Sequence, residues 1–452
     1  MRIEARTCLA CLLAASALAA PLRATAEPIA GWWRGHAVFR GVSLELGVHF
    51  QASGAKLEAR LDCPDMTILE QPLEGVTQTG RHVRFATPDS PALRFDCVLD
   101  GDTLRGRAVV PAVSGVVERS RGADSVVAIS LARAGAPGRP PYVERDVRFA
   151  HGGIRLAGTL LVPSTAAPHP GVVLLQGSSV NLRRDYRFYA DFFARLGLAV
   201  LVFDKRGSGQ STGDYGAATY DDLAGDAAAA VACLRSQPGV DSSRVGIWGL
   251  SQGAFIAPLV AERVPSLRFV VAVSAPGMPL GEVAAFQDSA RLVAAGFDAA
   301  DIQRVVSLDR RLSEWLRTRE GTDELGALLT EAADTPWRRA SSLPARLPSG
   351  SSLEGWYWRG RTLDPAPKWR AVRAPVLLIH GAADELVPGG PSSRIIARAL
   401  KKGGNRDVTA RVFPAANHVL RTLPLVAGGP WDWPRAAPGY LGLTADWIRS
   451  RL

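Results

Sequence analysis

Gly249-Leu250-Ser251-Gln252-Gly253 lies between two segments of different character. Residues 244–248 before it form a short apolar run that predicts a buried strand, and residues 254–260 after it predict the start of a helix. The two glycines let the strand and the helix approach each other without Cβ clashes. An ordinary turn is the alternative, because glycine and serine are common residues. The flanking pattern favours a tight strand–turn–helix that presents a strained serine hydroxyl.

The composition is that of a globular protein with room for two cores. The chain has 452 residues, of which 47% are hydrophobic and 21% are charged. The formal charge of +10 comes from arginines spread along the sequence, without a long basic block. This pattern predicts a solvated basic surface and does not favour a nucleic-acid partner. No segment after residue 26 is apolar enough to span a membrane, so we expect no stable membrane insertion.

Residues 1–26 have the composition of a secretory signal peptide. Arg2 and Arg6 precede an apolar run, and small residues at 17–19 and at 24–26 offer two cleavage sites, the second of which lies before Glu27. We therefore expect an exported protein, either periplasmic or secreted. Export permits disulfide bonds, and the similar strand-like settings of Cys63 and Cys97 predict a bridge between these two residues.

The sequence divides into two regions with different periodicity. Residues 27–133 alternate apolar and polar positions between turn residues, which predicts a small all-β domain, either a sandwich or a barrel. Its opening stretch, residues 31–35, resembles lipocalin-like β domains; a ligand pocket and a closed module beside the second domain both stay open. The Pro/Gly-rich residues 134–142 predict a linker. From residue 143 to 452, apolar strands alternate with helices, which predicts a mostly parallel, doubly wound α/β sheet.

An insertion interrupts this second domain. Roughly 100 residues separate two predicted strands, too many for a loop without structure of its own. We expect a helical cap over about 278–370, with an elaboration away from the site as the alternative. The candidate substrate-pocket residues are three tryptophans of the cap and the residue before the serine: Trp315, Trp356, Trp358 and Leu250.

The partners of the serine follow later strands. A serine hydroxyl becomes a good nucleophile when a histidine accepts its proton and a carboxylate orients that histidine. Asp384 and His418 follow the last two predicted strands, at the sheet edge where open α/β sheets place their sites. We therefore expect Ser251, Asp384 and His418 to form a catalytic triad. The rivals are Glu385, next to the predicted acid, and His380, which we expect to be structural.

Two backbone amides are needed to stabilise negative charge on an acyl oxygen. The amide of Gln252, at the start of the predicted helix, is one candidate donor. The amide of Ser178, in the turn Gln176-Gly177-Ser178-Ser179 after an apolar strand, is the other. No histidine, cysteine and carboxylate cluster has metal-ligand spacing, so we expect neither a metal nor a cofactor.

These residues resemble the α/β-hydrolase superfamily. The resemblance rests on the order Ser251, Asp384, His418 and on the segment Asp204-Lys205-Arg206-Gly207-Ser208-Gly209-Gln210-Ser211. Within that superfamily the chain is similar to bacterial secreted two-domain esterases whose catalytic domain is like those of prolyl oligopeptidases and serine aminopeptidases. It departs from many relatives by having leucine before the nucleophile and glutamine at the oxyanion turn. In the quoted segment we expect Asp204 and Arg206 to form an ion pair.

We expect a serine hydrolase that cleaves small-molecule carboxylic esters with short to medium acyl chains through an acyl-enzyme. A serine peptidase and a non-catalytic binding module on the same scaffold are the alternatives. The β domain, of about 105 residues, is too small for a gating propeller, which favours the esterase. The intact order of the three catalytic residue types argues against the binding module. The oligomeric state stays open.

Overall fold

In the computed structural model, the described residues are 28–39, 42–54, 56–88, 92–110, 125–350, 353, 356–422 and 435–452. The signal peptide predicted for residues 1–26 lies outside them. No helix in these ranges combines the length and the apolar character that a bilayer crossing requires.

The N-terminal domain is a closed antiparallel barrel of eight strands. β1 pairs with both β2 and β8, so the barrel has no free edge. Alternate side chains point inward and fill the interior, among them the fully buried Trp33 and Phe50. This filled interior favours the closed module over a ligand pocket inside the barrel. The strands are β1 Gly31–Phe39, β2 Val42–Ser53, β3 Lys56–Cys63, β4 Ile68–Thr79, β5 His82–Ala86, β6 Arg94–Asp100, β7 Thr103–Val110 and β8 Ser125–Ala134.

The predicted disulfide between Cys63 and Cys97 is wrong, because both residues are free thiols. Cys63 ends β3 and Cys97 lies on β6, and two strands separate them in the barrel. Their similar sequence settings reflect a shared inward orientation, since both side chains are buried in the barrel core. Burial raises the pKa of Cys63 to about 11 and that of Cys97 to about 12.

We expect a reducing agent to leave the melting temperature unchanged, because no bond between Cys63 and Cys97 is there to break. Iodoacetamide should modify these two thiols only after denaturation, since burial keeps them protonated and out of reach. Cys233 on the second domain is partly exposed and serves as the internal control for native labelling. Mass spectrometry of an unreduced digest checks this, and a cross-linked peptide containing both residues would contradict it.

The second domain is built on a mixed sheet of eight strands in the order β16-β15-β14-β13-β11-β12-β10-β9. β9 and β10 are antiparallel to their neighbours, and β11 to β16 are all parallel. The predicted mostly parallel sheet is therefore confirmed. The strands are β9 Tyr142–His151, β10 Ile154–Pro163, β11 His169–Leu175, β12 Ala199–Phe203, β13 Val240–Leu250, β14 Val270–Val273, β15 Val376–Gly381 and β16 Val408–Phe413, followed by the ribbon of β17 Arg421–Thr422 and β18 Arg435–Ala436.

Helices cover both faces of this sheet. Successive side chains of β11 alternate between two cores: Val173 and Leu175 pack with α2, α3 and α10, and Val172 and Leu174 pack with α1 and α11. The helices are α1 Arg187–Arg195, α2 Tyr220–Arg235, α3 Gln252–Arg263, α4 Leu280–Ala295, α5 Ala299–Thr318, α6 Thr322–Ala332, α7 Pro336–Ala340, α8 Trp356–Gly360, α9 Ala366–Trp369, α10 Gly389–Lys402 and α11 Tyr440–Arg449. Short 3-10 helices span Pro64–Met66 and Arg183–Tyr186.

The insertion, residues 280–360, lies between β14 and β15 and has its own core. Buried leucines from α4, α5 and α6 form that core. The side chain of Gln287 on α4 donates a hydrogen bond of 2.9 Å to the carbonyl of Leu386, which lies in the loop after β15. The predicted helical insertion is therefore present, and it lies beside a loop at the carboxyl edge of the sheet.

The barrel contacts the second domain through polar side chains. Arg187 on α1 bridges Glu70 of the barrel at 3.0 Å and Glu144 on β9 at 2.6 Å. Arg435 on β18 donates to the carbonyl of Ser43 on β2 at 2.8 Å. These contacts place the barrel on the α1 side of the sheet.

Candidate active site

Ser251 occupies the turn between β13 and α3 in a strained backbone conformation. Its φ is 54° and its ψ is −113°, a region that non-glycine residues rarely adopt. Its amide donates to the carbonyl of Val273 on β14 at 2.8 Å. A Cβ at Gly249 would lie 2.6 Å from the carbonyl carbon of Gly253, and a Cβ at Gly253 would lie 2.1 Å from the carbonyl oxygen of Leu175. The turn therefore has room only for glycine at both positions.

Asp384 and His418 lie together beyond the carboxyl ends of β15 and β16. Nδ1 of the histidine lies 2.9 Å and 3.0 Å from the two carboxylate oxygens. The amides of Leu386 and Val387 also donate to this carboxylate, at 2.9 Å and 2.8 Å. Because Nδ1–H donates to the carboxylate, Nε2 is left as the basic nitrogen of the imidazole. The pair is thus held in the form that can accept a serine proton.

The serine lies at the same sheet edge as this pair. β13 ends at Leu250, and its neighbours β14, β15 and β16 follow in order across the sheet. A Cβ added to Gly177, in the turn after β11, would lie 3.7 Å from Cβ of Ser251. The hydroxyl of Ser274, beyond β14, donates to the carbonyl of His418 at 2.7 Å. The turn that carries Ser251, the nucleophile elbow, therefore lies between the Gln176–Ser179 turn, which is the oxyanion turn, and the loop that carries His418.

The two rivals have different surroundings. His380 is fully buried, its Nε2 lies 2.9 Å from the carbonyl of Ala275, and burial lowers its pKa. Glu385 is half-buried next to Asp384, and burial raises its pKa to about 7. The carboxylate that contacts His418 belongs to Asp384, so the structure brings together the residues that the sequence predicts as acid and base.

The predicted oxyanion donors have no internal acceptors. The amide of Gln252 begins α3, where a helical N–H has no carbonyl four residues earlier to bind. On either side of Ser178, the amide of Gly177 donates to the hydroxyl of Tyr186 at 2.7 Å and that of Ser179 to the hydroxyl of Tyr215 at 2.9 Å. Within the described part of the chain, the amides of Ser178 and Gln252 donate to no protein atom.

All four candidate pocket residues lie in hydrophobic cores or pack against them, Trp356 against the core that contains α3. Leu250 is buried on the α1 side of the sheet. Trp315 belongs to the core of the insertion, where its indole donates to the hydroxyl of Thr322 at 3.0 Å, and Trp358 packs against the same core. Sequence alone could not separate these tryptophans, because a core position and a pocket position need the same apolar residue.

Trp356 is the candidate that lies beside the elbow. Its ring centroid is 5.4 Å from that of Tyr215 and 6.1 Å from that of Tyr220. The hydroxyl of Tyr215 in turn donates to Oε1 of Gln252 at 3.1 Å. Trp356 and the two tyrosines therefore form an aromatic cluster next to the first turn of α3.

The expected ion pair between Asp204 and Arg206 is wrong. Arg206 instead binds Asp226 on α2, with nitrogen–oxygen distances of 2.7 Å and 2.8 Å. Asp204 accepts the amides of Arg183 and Gln210 at 2.9 Å and 3.0 Å. The aspartate thus organises a loop, and the arginine anchors that loop to a helix.

Sequence reasoning missed the side chains behind the oxyanion turn. Tyr186 and Tyr215 carry no signal that distinguishes them from core residues. Asn181 donates to the carbonyls of Gly177 and Ser178 at 2.8 Å and 3.0 Å, a contact across only a few residues. Lys205 did carry a signal, because a charged residue directly after a buried strand needs a partner or an exit to water.

In the described ranges, no group of three or more histidine, cysteine, aspartate and glutamate side chains is arranged to hold a metal ion. The sheet order, together with the chain order serine, aspartate, histidine, places the protein in the α/β-hydrolase class. The family model described as X-Pro dipeptidyl-peptidase (S15 family) matches residues 152–406, more than half of the chain. The chain belongs to this family, which confirms the resemblance to α/β-hydrolases.

Three curated relatives cover different shares of their own length. Esterase EstD of Thermotoga maritima is 26% identical over 59% of this chain and 58% of its own. Thiohydrolase apmlB of Arthrinium phaeospermum is 31% identical over 28% of this chain and 41% of its own. Quorum-quenching protein AidA of Acinetobacter baumannii is 26% identical over 56% of this chain and 83% of its own. The chain thus spans about half the length of the first two.

We expect Glu385→Gln to raise the melting temperature at pH 8 and to leave it unchanged near pH 4. The pKa of Glu385 is raised from its ordinary value of 4.5 to about 7 in the folded state. Because the folded state holds the proton of Glu385 more tightly than the unfolded state does, its contribution to the free energy of unfolding is complete below pH 4.5. This contribution is lost as the pH rises through about 7. The glutamine cannot ionise, so it escapes that loss.

Thermal melts of wild type and variant between pH 4 and pH 9 check this expectation. Glu331→Gln, on the exposed surface of α6, is the matched control, because it makes the same chemical change without burial. A gap between wild type and Glu385→Gln that is constant over the whole pH range would contradict it.

Proposed function

We propose that this protein is a serine hydrolase that cleaves carboxylic esters with short to medium acyl chains through an acyl-enzyme. The observation that carries the proposal is the strained Ser251 at the same sheet edge as the Asp384–His418 pair. The backbone amides of Gln252 and Ser178 add two donors that have no acceptor among the described residues. Nucleophile, base, orienting acid and oxyanion donors are the complete set that acyl transfer needs.

Acylation uses these groups in turn. Oγ of Ser251 attacks the acyl carbon while Nε2 of His418 takes its proton. The carbonyl oxygen becomes an oxyanion, which the amides of Gln252 and Ser178 stabilise. His418 then gives the proton to the leaving alkoxide, and the alcohol departs. Asp384 orients His418 and stabilises the imidazolium between these two steps.

Deacylation repeats the sequence with water as the nucleophile. His418 takes a proton from the water, which attacks the acyl carbon of the ester on Ser251. The second oxyanion binds the same two amides, and its collapse returns the proton to Oγ. The products are a carboxylic acid and the free enzyme.

The curated relatives support an ester substrate. EstD is named an esterase, and apmlB is named a thiohydrolase. The aromatic cluster around Trp356 supports an apolar acyl group, because it offers apolar surface beside the elbow.

Amide hydrolysis is the second candidate, and the family match favours it. A dipeptidyl-peptidase has to bind the ammonium group of its substrate, which calls for a carboxylate without a partner. The buried Asp288 and Asp309 of the insertion already bind Arg291 and Arg361. Glu385 is the carboxylate next to the triad whose Oε1 has no hydrogen-bond partner within the described residues. The peptidase candidate therefore depends on Glu385.

We also propose that the protein is exported. The support is the positive, apolar and small-residue pattern of residues 1–26. Cys63 and Cys97 are reduced because two strands separate them in the barrel. Their free thiols are therefore no evidence for or against export.

We expect the wild type to hydrolyse p-nitrophenyl esters of two to eight carbons with kcat/KM at least about 100-fold above that for glycyl-prolyl and alanyl p-nitroanilides. The ester needs no bound ammonium group and has the better leaving group. Ser251→Ala should lower kcat by about 10⁴-fold or more, because it removes the nucleophile. A fluorophosphonate probe should label Ser251 of the wild type, as read by mass spectrometry.

Each competing outcome has its own meaning. Anilide turnover without ester turnover, abolished by Glu385→Gln, would establish the peptidase. A folded wild type that neither turns over an ester nor accepts the probe would establish the binding module. Unchanged ester hydrolysis in Ser251→Ala would place the reaction elsewhere on the molecule.

We expect Trp356→Ala to move the acyl-chain preference toward longer esters. Removing the indole opens apolar space beside Tyr215 and Tyr220, and each additional buried methylene contributes about 0.8 kcal/mol, roughly fourfold in kcat/KM. Trp315→Phe, in the core of the insertion, is the control and should lower the melting temperature without changing the preference. A chain-length profile of Trp356→Ala parallel to that of the wild type would exclude Trp356 from the acyl pocket.

A further inference from the structure

Lys205 is a buried cation directly behind the oxyanion turn. The residue lies in the loop after β12, and only 6% of it is exposed. Nζ donates to the carbonyl of Gly177 and, at 2.6 Å, to Oε1 of Gln252. The ring centroid of Tyr215 lies 4.8 Å from the same nitrogen. Among the described residues, no carboxylate lies within ion-pair distance of this ammonium group.

The missing carboxylate makes this cation expensive to bury. Burial lowers the pKa of Lys205 to about 7, so the ammonium form is kept only as far as its oxygen partners offset the lost hydration. The neighbouring Arg206, in contrast, has Asp226 as its partner. A hydrophobic residue of the same length at position 205 would avoid the cost of burying a charge. We therefore look for the function of Lys205 in the two oxygens to which it donates hydrogen bonds.

The first of these oxygens belongs to the peptide unit that supplies an oxyanion donor. The carbonyl of Gly177 and the N–H of Ser178 lie in one plane and point in opposite directions. An ammonium group on the carbonyl therefore fixes the direction of the Ser178 N–H, and it polarises that N–H toward its own acceptor. The side-chain amide of Asn181 donates to the same carbonyl at 2.8 Å.

The second oxygen belongs to the residue that supplies the other donor. Oε1 of Gln252 accepts from Lys205 and from the hydroxyl of Tyr215. These two contacts hold the side chain of the first residue of α3, whose backbone amide is the second donor. One ammonium group thus contacts both the Gly177–Ser178 peptide and the side chain of Gln252.

We propose that Lys205 is a positioning residue of the oxyanion hole, which holds the amides of Ser178 and Gln252 in line with the acyl oxygen and places positive charge behind them. The proposal rests on the proposed serine-hydrolase function. Lys205 does not touch the substrate, and acts through the Gly177–Ser178 peptide and through Gln252. Its contribution grows as negative charge develops on the acyl oxygen, so it favours the transition state over the bound substrate.

Lys205→Met tests this role, because methionine keeps the apolar length and removes the charge. We expect kcat for p-nitrophenyl butyrate to fall about 10- to 100-fold, less than or close to the effect of losing a whole oxyanion donor. KM should change less than about twofold. The affinity for an alkyl boronic acid, which forms a tetrahedral anion on Ser251, should fall by the same factor as kcat. A merely structural role would not couple these two losses while sparing KM.

Arg206→Gln is the matched control, since it removes the adjacent buried cation, which binds α2 and not the oxyanion turn. It should lower the melting temperature and leave kcat and the boronic acid affinity within about twofold of the wild type. Lys205→Gln is the second variant and is used if Lys205→Met does not fold. Its amide can still donate to Gly177, so a smaller loss of kcat, again matched by the boronic acid, is expected.

Unchanged kcat and unchanged boronic acid affinity in whichever Lys205 variant folds would overturn the proposal. A rise in KM without a loss of boronic acid affinity would also overturn it, because that result assigns Lys205 to substrate binding. Failure of the proposed function gives a different result: the wild type itself would show neither ester turnover nor fluorophosphonate labelling, and the oxyanion role would fall with it.

Discussion

The positive φ of Ser251 is the constraint on which the rest of the site depends. Such a conformation costs about 1–3 kcal/mol and persists only where the surroundings fix it. Here the fixing groups are the hydrogen bond to Val273 and the close contacts at Gly249 and Gly253. These contacts join the turn to β11, β13 and β14, so its conformation depends on the packing of all three strands. The buried sheet therefore supplies the rigidity that the hydroxyl requires.

Charge near the site is organised by backbone groups as much as by ion pairs. Asp384 is held by two loop amides besides its histidine, and Asp204 by two loop amides in place of the expected arginine. Amides of a folded loop cannot rotate away, so they orient a carboxylate more firmly than a flexible side chain does. Lys205 inverts this pattern, because there a side-chain cation orients a backbone peptide. Both arrangements use rigid peptide units as parts of the site.

The sequence predicted the elements that depend on local pattern. The parallel sheet followed from apolar runs, and the placement of Asp384 and His418 from their positions just after strands. The wrong expectations failed because the arrangement of distant segments decides which residues meet. Cys63 and Cys97 share an inward orientation, but the sequences of their two strands do not show that two other strands lie between them. The partner of Arg206 lies on a helix, and nothing in the loop sequence distinguishes Asp226 from Asp204.

The closure of the barrel makes the first domain independent of the rest of the chain in its strand pairing. Each strand pairs with the next in sequence, and the last pairs with the first, so all of its pairing is complete once Ala134 has been synthesised. Seven of the eight pairings join strands that follow each other in sequence, and only the closure of β1 onto β8 spans the whole domain. The active site, in contrast, needs His418 near the opposite terminus. The first domain therefore pairs all of its strands without any residue of the active site.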